Sequence, residues 1–234
     1  MDKNAVNILV CDDDKEIVDA IEIYLSQDGY NIFKAYDGEK AIEIIDKENI
    51  HLLIIDIMMP KLDGIRATLK IREHSSIPII MLSAKSEDSD KILGLNMGAD
   101  DYITKPFNPL ELQARVKSNL RRYTSLGAIG GAGKQVFQVG GLIVNDANKQ
   151  VTVDGEFVKL TPIEYSILLL LIKNQGKVFS INEIYESIWN EEAIGADNTV
   201  AVHIRHIREK IEINPKEPRY VKVVWGVGYK IDAE

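Results

Sequence analysis

The first half of the chain alternates short apolar runs with longer amphipathic segments, and this pair occurs five times before residue 124. The apolar runs have the length of buried strands, and the segments that follow repeat their apolar residues at helical spacing. The five pairs are Val6–Cys11 with Ile17–Leu25, Asn31–Ala35 with Lys40–Lys47, Leu52–Ile55 with Ile65–Arg72, Ile79–Leu82 with Asp88–Met97, and Tyr102–Thr104 with Pro109–Tyr123. Right-handed crossovers place such helices on both faces of a parallel sheet. The alternation therefore predicts a doubly wound α/β domain with a five-stranded parallel sheet over residues 1–123.

The second half of the chain, residues 135–234, has a different pattern. Short alternating apolar runs separated by glycine and asparagine turns predict a small antiparallel meander that ends near Leu160. Thr161 and Glu164 then form a capping-box pattern, which predicts the start of an apolar helix. The remaining predicted elements are helices over Ser180–Trp189 and Asn198–Ile213 and a hairpin over Tyr220–Ile231. Three helices followed by a hairpin are typical of a winged helix.

The two halves are joined by Thr124–Lys134, which holds four glycines in eleven residues. A segment of this composition buries little, and we interpret it as a flexible linker between two domains. Its GGAGK sequence resembles part of a phosphate-binding loop, but that motif requires Gly at position 128 and Ser or Thr at position 135. Ala128 and Gln135 occupy those positions, so the linker interpretation is favoured.

Composition and charge restrict the kind of protein. A chain of 234 residues with 45% apolar residues can fill a core, and its apolar runs fall short of the roughly 20 residues of a membrane helix. The single cysteine, Cys11, fits a reducing compartment, so we expect a soluble cytoplasmic protein. The net charge of −8 argues against indiscriminate binding of nucleic acid. Thr199–Lys230 nevertheless holds seven basic residues against three acidic ones, which leaves room for a confined nucleic-acid contact.

Charged and polar side chains follow four of the five predicted parallel strands. They are Asp12 and Asp13 after the first strand, Asp56 after the third, Ser83 after the fourth and Lys105 after the fifth. Functional groups of open α/β sheets gather at the carboxyl ends of the strands. Crowded carboxylates need a cation, and oxygen ligands suit Mg²⁺. We therefore predict a magnesium site that, together with the lysine, is suited to binding a phosphoryl group.

Four motifs at these strand ends resemble the two-component response regulators of the OmpR/PhoB type. They are ILVCDDD (Ile8–Asp14), LLIIDIMMPKLDG (Leu52–Gly64), IIMLSAK (Ile79–Lys85) and GADDYITKPF (Gly98–Phe107). Over its whole length the chain also resembles the VanR type of glycopeptide-resistance regulators, especially in ADDYITKPF, HIREKI and VWGVGYKI. The resemblance implies a receiver domain with sheet order 2-1-3-4-5 and a C-terminal winged-helix domain that binds promoter DNA.

The resemblance also implies roles for the pocket residues. Asp56 would accept a phosphoryl group from a sensor histidine kinase. Asp13, Asp56 and the main-chain carbonyl of Met58 would hold Mg²⁺, for which Mn²⁺ can substitute, and Asp12 would assist through water. Lys105 would neutralise charge on the phosphoryl oxygens. The protein would be no enzyme beyond catalysing its own phosphorylation and slow autodephosphorylation.

The resemblance further implies a switch and a set of partners. Ser83 and Tyr102 match the family's switch pair, in which the hydroxyl moves toward the phosphoryl group and the ring enters the vacated space. Phosphorylation would produce a homodimer through charged residues of the fourth and fifth helices. These residues are Lys91, Asp100, Asp101, Glu111, Arg115 and Arg122, with Lys91–Glu111 and Asp101–Arg115 as intermolecular pairs. RNA polymerase would be a further partner, while no membrane contact is expected.

The third helix of the second half is the predicted DNA-reading element. Its apolar residues Val200, Ile204, Ile207 and Ile211 lie within one arc, and Arg205, His206 and Arg208 lie on the opposite side. The resemblance assigns Arg205, His206 and Arg208 to the major groove and His203 to backbone contact or packing. Lys230 in the hairpin would approach the minor groove. Trp225 stands where the family's wings often carry arginine, so packing or contact with a sugar is expected there rather than insertion into the minor groove. Acidic residues on this helix predict weak monomer binding and dimers on tandem sites.

Two alternatives remain open at this point. A phosphatase of the dehalogenase type also uses an Asp nucleophile on a parallel sheet, but it needs a second Asp where Met58 stands. An orphan regulator that binds DNA without phosphorylation is the other alternative, and the complete acidic pocket argues against it.

Overall fold

The computed structural model describes residues 6–84, 94–95, 97–125, 136–190 and 197–233. The chain divides into two compact units, Met1–Tyr123 and Thr124–Glu234. The predicted linker lies almost entirely outside the described residues, as does most of the helix predicted over Asp88–Met97, of which Gly94 and Leu95 are helical. Among the described helices, none has the length and apolar character needed to cross a membrane.

The first unit is built on a five-stranded parallel sheet. Its strands are β1 (Asn7–Cys11), β2 (Asn31–Ala35), β3 (Leu52–Asp56), β4 (Ile79–Ala84) and β5 (Asp101–Lys105). Its described helices are α1 (Lys15–Ser26), α2 (Gly38–Lys47), α3 (Gly64–His74) and α4 (Pro109–Ser125). The sheet order is β2-β1-β3-β4-β5 with every pair parallel, which confirms the predicted fold class. Helix α4 ends at Ser125, two residues beyond the predicted end.

Acidic caps begin three of these helices. The carboxylates of Asp14, Asp37 and Asp63 accept hydrogen bonds from main-chain amides at 2.8, 2.9 and 2.8 Å, at the starts of α1, α2 and α3. Each cap satisfies an amide that the helix cannot pair internally, and its charge favours the positive end of the helix dipole. The strand-to-helix turns at the carboxyl edge are therefore fixed in place.

Two apolar layers enclose the sheet. In β1, Ile8 and Val10 belong to one layer, whereas Leu9 and Cys11 belong to the other, as the two-residue period of a strand requires. Cys11 is fully buried, and burial raises the pKa of its thiol well above the ordinary value. The thiol is therefore a core group, as the sequence predicts.

The second unit combines a small sheet, three helices and a hairpin. The antiparallel sheet contains β6 (Val136–Val139), β7 (Leu142–Asn145), β8 (Gln150–Val153) and β9 (Glu156–Phe157). The described helices are α5 (Pro162–Lys173), α6 (Ile181–Trp189) and α7 (Asp197–Ile211), and the hairpin pairs β10 (Val221–Val224) with β11 (Gly228–Ile231). This order confirms the predicted winged-helix architecture.

Local chemistry sets the helix starts of this unit. Thr161 and Glu164 form the predicted capping box of α5, and Ser180 and Glu183 form a second one at α6. The apolar face of α7 packs into the same core as α5 and α6. The hairpin is joined to this core through Phe179, whose amide and carbonyl both pair with Tyr229 at 2.9 Å.

Candidate functional site

The parallel register brings the predicted acidic residues to one edge of the sheet. Cys11 pairs with Ile55, so Asp12 and Asp56 leave adjacent strands side by side. The ammonium of Lys105 lies 2.6 Å from a carboxylate oxygen of Asp12 and 2.6 Å from one of Asp56. Three residues far apart in the chain thus form one charged cluster at the carboxyl ends of β1, β3 and β5.

Burial affects the pKa values of the charged groups in this cluster. Asp56 is 5% exposed and Asp12 is fully buried, whereas Asp13 is exposed. Burial raises the pKa of Asp56 above its usual value, although the hydrogen bond and charge of Lys105 act in the opposite direction. Burial disfavours the charged form of Lys105, but its hydrogen bonds to Asp12 and Asp56 outweigh burial and raise its pKa.

Both carboxylate oxygens of Asp56 have defined partners. One accepts the hydrogen bond from Lys105, and the other accepts a hydrogen bond of 2.7 Å from the amide of Met58. On the neighbouring strand, Asp12 accepts from the amide of Asp14 at 3.0 Å with its second oxygen. The carboxylate of Asp56 is therefore held in one orientation. A reacting group that is already oriented loses less entropy on the way to the transition state.

The cluster also has the chemistry of a cation site. Carboxylate oxygens of Asp12, Asp13 and Asp56 all lie within 4.8 Å of one another. Three oxygen ligands with an excess of negative charge suit a hard divalent ion such as Mg²⁺ better than a soft metal. The residues present thus fit Mg²⁺, the ion predicted from the sequence.

The two residues of the predicted switch lie on the neighbouring strands β4 and β5. Ser83 is buried at the end of β4, and its hydroxyl has no hydrogen-bond partner among the described residues. Tyr102 is half-buried in β5, where its ring packs against one apolar layer. A buried hydroxyl without a hydrogen-bond partner is energetically costly and calls for an explanation, which a hydrogen bond formed in another state of the protein would provide.

Gly64, which is not among the predicted site residues, also belongs to this site. A Cβ atom at position 64 would lie 2.0 Å from the main-chain oxygen of Asp56. The first turn of α3 can therefore approach the end of β3 only when position 64 lacks a side chain. The glycine that closes the LDG sequence is the one sequence signal that could have pointed to this contact.

The structure corrects part of the predicted dimer surface. Asp100 is buried, where its carboxylate pairs with Arg72 at 2.6 Å and accepts from the amide of Ile79 at 2.8 Å. It joins α3 to β4, so it is not a residue of an exposed charged face. Sequence alone did not indicate this role, because Arg72 lies 28 residues away.

Residues of the predicted intermolecular pairs have partners within the chain. Asp101 is buried, and its carboxylate pairs with Arg115 of the same chain at 2.9 Å. Arg115 pairs in addition with Glu111 at 3.1 Å, one turn earlier in α4. Arg122 is buried as well and donates to Ser118 at 2.8 Å. Lys91, the remaining member of the predicted surface, lies outside the described residues.

The DNA-reading helix is only partly as predicted. Arg205 is exposed on α7 and pairs with Glu209 at 3.0 Å. His206 was predicted to face outward, but it is 8% exposed and its imidazole lies 3.9 Å from the buried carboxylate of Glu164. His203 is 2% exposed and lies beside Trp189, in agreement with the packing alternative.

Arg208 is a second correction on α7. Its guanidinium is half-buried, donates to the carbonyl of Val221 at 2.9 Å and lies over the ring of Tyr229. Burial lowers the pKa of Arg208. Helix α7 contacts α5, α6 and the hairpin, so its buried arc is wider than its apolar stripe. Polar residues that border the stripe are consequently buried too.

The hairpin presents an apolar tip. Trp225 is 88% exposed and precedes Gly226, which has a φ of 73° in the turn. Of the two expectations for this indole, packing against the domain is wrong, and contact with a DNA sugar stays a prediction. The two hairpin lysines, Lys222 and Lys230, both pair with Asp232, at 3.0 and 2.5 Å. Lys230 therefore lies in the hairpin as predicted, but Asp232 partly neutralises its charge.

Comparison with known proteins agrees with both halves of this description. The family model of the response regulator receiver domain matches residues 8–117, and that of the transcriptional regulatory protein C-terminal domain matches residues 155–231. The chain is 46% identical to regulatory protein VanR of Enterococcus faecium, over 96% of this chain and 98% of the relative. It is 39% identical to the alkaline phosphatase synthesis transcriptional regulatory protein PhoP of Bacillus subtilis, over 96% of both chains.

A solved structure gives the same result. The OmpR/PhoB homolog DrrB of Thermotoga maritima matches with 33% identity and a TM-score of 0.51, over 98% of this chain and 100% of DrrB. Phosphorylation and dimerisation are general properties of this family, and its receiver and DNA-binding domains imply a histidine kinase and DNA as partners. The acidic strand-end cluster, the winged helix and these whole-chain similarities lead to one conclusion: the chain belongs to the OmpR/PhoB-type two-component response regulators, which are DNA-binding regulators of transcription.

Proposed function

We propose that Asp56 is the phosphoacceptor of this response regulator. The observation that carries the proposal is the position of its carboxylate, which is held between Lys105 and the amide of Met58 at the carboxyl edge of the sheet. A carboxylate oxygen attacks the phosphorus of a histidine kinase's phosphohistidine, the P–N bond breaks, and the imidazole leaves with the bonding pair and takes up a proton. The chain is a phosphorylated regulator whose only catalysis is its own phosphorylation and slow dephosphorylation.

Asp13, Asp56 and the main-chain carbonyl of Met58 would hold Mg²⁺ or Mn²⁺, and Asp12 would assist through water. When bound, the ion supplies positive charge to the phosphoryl oxygens. Asp12 also orients Lys105, which would turn from the carboxylates toward the new phosphoryl group. Ser83 then donates its spare hydroxyl hydrogen to a phosphoryl oxygen, and Tyr102 moves into the space it leaves.

The output of this switch is DNA binding by a dimer. We propose that two receivers associate through the face of α4 that includes Glu111 and Arg115, and that the exposed strip of α7 with Arg205 enters the major groove of tandem sites. The exposed hairpin tip at Trp225 supports a contact with sugar and minor groove rather than with phosphate. Kinase, promoter and RNA polymerase would meet this chain in the cytoplasm.

The test compares wild-type chain with Asp56→Asn, each with and without Mg²⁺ and acetyl phosphate. Asp63→Asn is the matched control, because Asp63 caps α3 outside the charged cluster. We expect a phosphate adduct by intact mass, dimers by sedimentation and tighter promoter binding in wild type and Asp63→Asn, but none of these in Asp56→Asn. If the affinity for promoter DNA changes neither with the phosphodonor nor with the residue at position 56, the orphan alternative is correct.

A further inference from the structure

Glu212, just beyond α7, holds the start of the hairpin by its side chain. One of its carboxylate oxygens accepts from the amide of Arg219 at 2.7 Å, and the other accepts from those of Tyr220 and Val221, both at 2.9 Å. The side chain is buried. A carboxylate that accepts three amide hydrogens is a strong and geometrically specific anchor, because charge-assisted hydrogen bonds exceed neutral ones in strength.

Arg208, one turn earlier, holds the same strand from its other side. Its Nε donates to the carbonyl of Val221, whose amide is already bound by Glu212. Its guanidinium also lies 5.7 Å from the ring centroid of Tyr229 on the second hairpin strand. Both main-chain polar groups of Val221 are therefore tied to side chains of α7 or its end, and both hairpin strands are in contact with Arg208.

We propose that Arg208 and Glu212 are positioning residues that fix the hairpin relative to α7, so that both elements meet DNA with one spacing. The inference rests on the proposed roles of α7 and the hairpin in DNA binding. It assigns to Arg208 a function different from direct readout of a base. A hairpin held in its bound position loses less conformational entropy on association, so the two residues increase affinity without touching DNA.

Electrostatics and positioning predict opposite signs for Glu212→Gln. Removal of a negative charge close to a polyanion tightens binding if charge alone matters. Gln offers a single acceptor oxygen and brings an amide group that faces main-chain donors, so loss of the anchor weakens binding. Glu209→Gln is the matched control, because it removes the same charge from an exposed residue of α7 that contacts Arg205.

The experiment uses the phosphorylated full-length chain and a labelled duplex that wild type has selected from a random-sequence pool. We expect Glu212→Gln to weaken binding about tenfold, the loss typical of a buried hydrogen bond to a charged group. Glu209→Gln should bind as wild type or more tightly. Hydroxyl-radical footprints should lose protection at the hairpin contact and keep it at the α7 contact. Equal or tighter binding by Glu212→Gln would overturn the proposal.

Arg208→Lys decides the matter if Glu212→Gln does not fold. Lysine keeps the positive charge but has no donor at the position of Nε and no planar group to lie over Tyr229. We expect weaker binding, an unchanged salt dependence and faster hydrogen exchange of the hairpin amides. Wild-type affinity and exchange in this variant would refute the positioning role. Arg205→Ala tests the underlying function separately, since an unchanged affinity there would remove α7 from the interface.

Discussion

At the scale of single residues, the space around position 64 links the fold to phosphorylation. The Gly64→Ala methyl group would overlap the main-chain oxygen of Asp56 and lie 2.9 Å from its carbonyl carbon. Neither atom can move without shifting the end of β3. We expect a loss of about 1–3 kcal/mol in the free energy of unfolding, the usual cost of overpacking, and slower phosphorylation by acetyl phosphate.

Gly29→Ala provides the comparison for this experiment. Gly29 has a φ of 84° and nothing within 4 Å of the position that a Cβ atom would take, so its substitution costs backbone strain alone, about 1 kcal/mol. Thermal unfolding should detect both variants, whereas the rate of phosphorylation should fall in Gly64→Ala and stay unchanged in Gly29→Ala. Equal rates in the two variants would show that the close approach does not matter for the site.

Lys105 gives a second prediction at this scale, because its ammonium would compete with a metal ion for Asp12 and Asp56. Lys105→Gln removes one positive charge from 2.6 Å, so Mg²⁺ should bind more tightly, by about fivefold for a charge interaction of roughly 1 kcal/mol. Isothermal titration calorimetry measures this change. Weaker binding of Mg²⁺ would mean that Lys105 organises the carboxylates more than it competes for them.

At the scale of elements, Asp146 joins the small antiparallel sheet to α5. It accepts from Tyr165 at 2.9 Å and Lys173 at 2.8 Å, and it also pairs with Lys149. Burial opposes its ionisation, but these partners outweigh burial and lower the pKa of Asp146 to about 2. The folded pKa lies below the unfolded value, so this stabilisation is complete above about pH 4 and is lost as the pH falls toward 2.

Asp146→Asn should therefore lower the free energy of unfolding by about 1–2 kcal/mol at pH 7. The difference from wild type should shrink below about pH 4, where wild type loses the same interaction. Tryptophan fluorescence in urea measures this in the full chain, because Trp189 and Trp225 both lie in the second unit. A difference that is constant from pH 7 to pH 3 would exclude the carboxylate as its source.

The elements also show what sequence reasoning could and could not predict. The capping box at Thr161 and Glu164 was predictable because its signal is local. The cluster of Asp12, Asp56 and Lys105 was predictable because parallel strands end at one edge. The inward placement of His206 was not, since a helical wheel identifies one apolar face but not a second surface that packs beside it.

At the scale of the whole molecule, the proposed dimer depends on charges that the chain already uses internally. Glu111 is exposed and pairs with Arg115, which also holds the buried Asp101. Glu111→Arg places an arginine beside Arg115. The two-fold symmetry of the proposed dimer repeats this contact between like charges in both copies. We expect phosphorylation-dependent dimerisation to weaken about tenfold, while phosphorylation of Asp56 itself continues.

Sedimentation of the phosphorylated chain at several concentrations measures this effect. Glu48→Arg is the control for the change in net charge, because Glu48 is exposed at the end of α2, away from α4 in the sequence. Equal dimerisation of Glu111→Arg and wild type would remove this face of α4 from the proposed interface. Loss in both variants would point to a general effect of charge.

The whole-molecule prediction from sequence was strongest for architecture and weakest for the dimer surface. The spacing of apolar residues predicts two domains with different folds, because each half of the chain has its own apolar repeat. The burial of Asp100 and Asp101 is not predictable from sequence, because their partners, Arg72 and Arg115, come from other elements. A charged residue can be assigned to a surface only when the positions of all its neighbours are known.

The burial of Cys11 makes the chain's single thiol a probe of how often β1, an interior strand of the sheet, becomes accessible. The thiol is fully buried within β1, and a thiol reagent attacks only the deprotonated group. Labelling of the folded chain must therefore wait for β1 to become accessible, and its rate equals the open fraction multiplied by the rate for an unstructured thiol when closing is fast. The labelling rate of Cys11 therefore reports the open fraction of the receiver with and without bound phosphate, and no foreign probe has to be introduced.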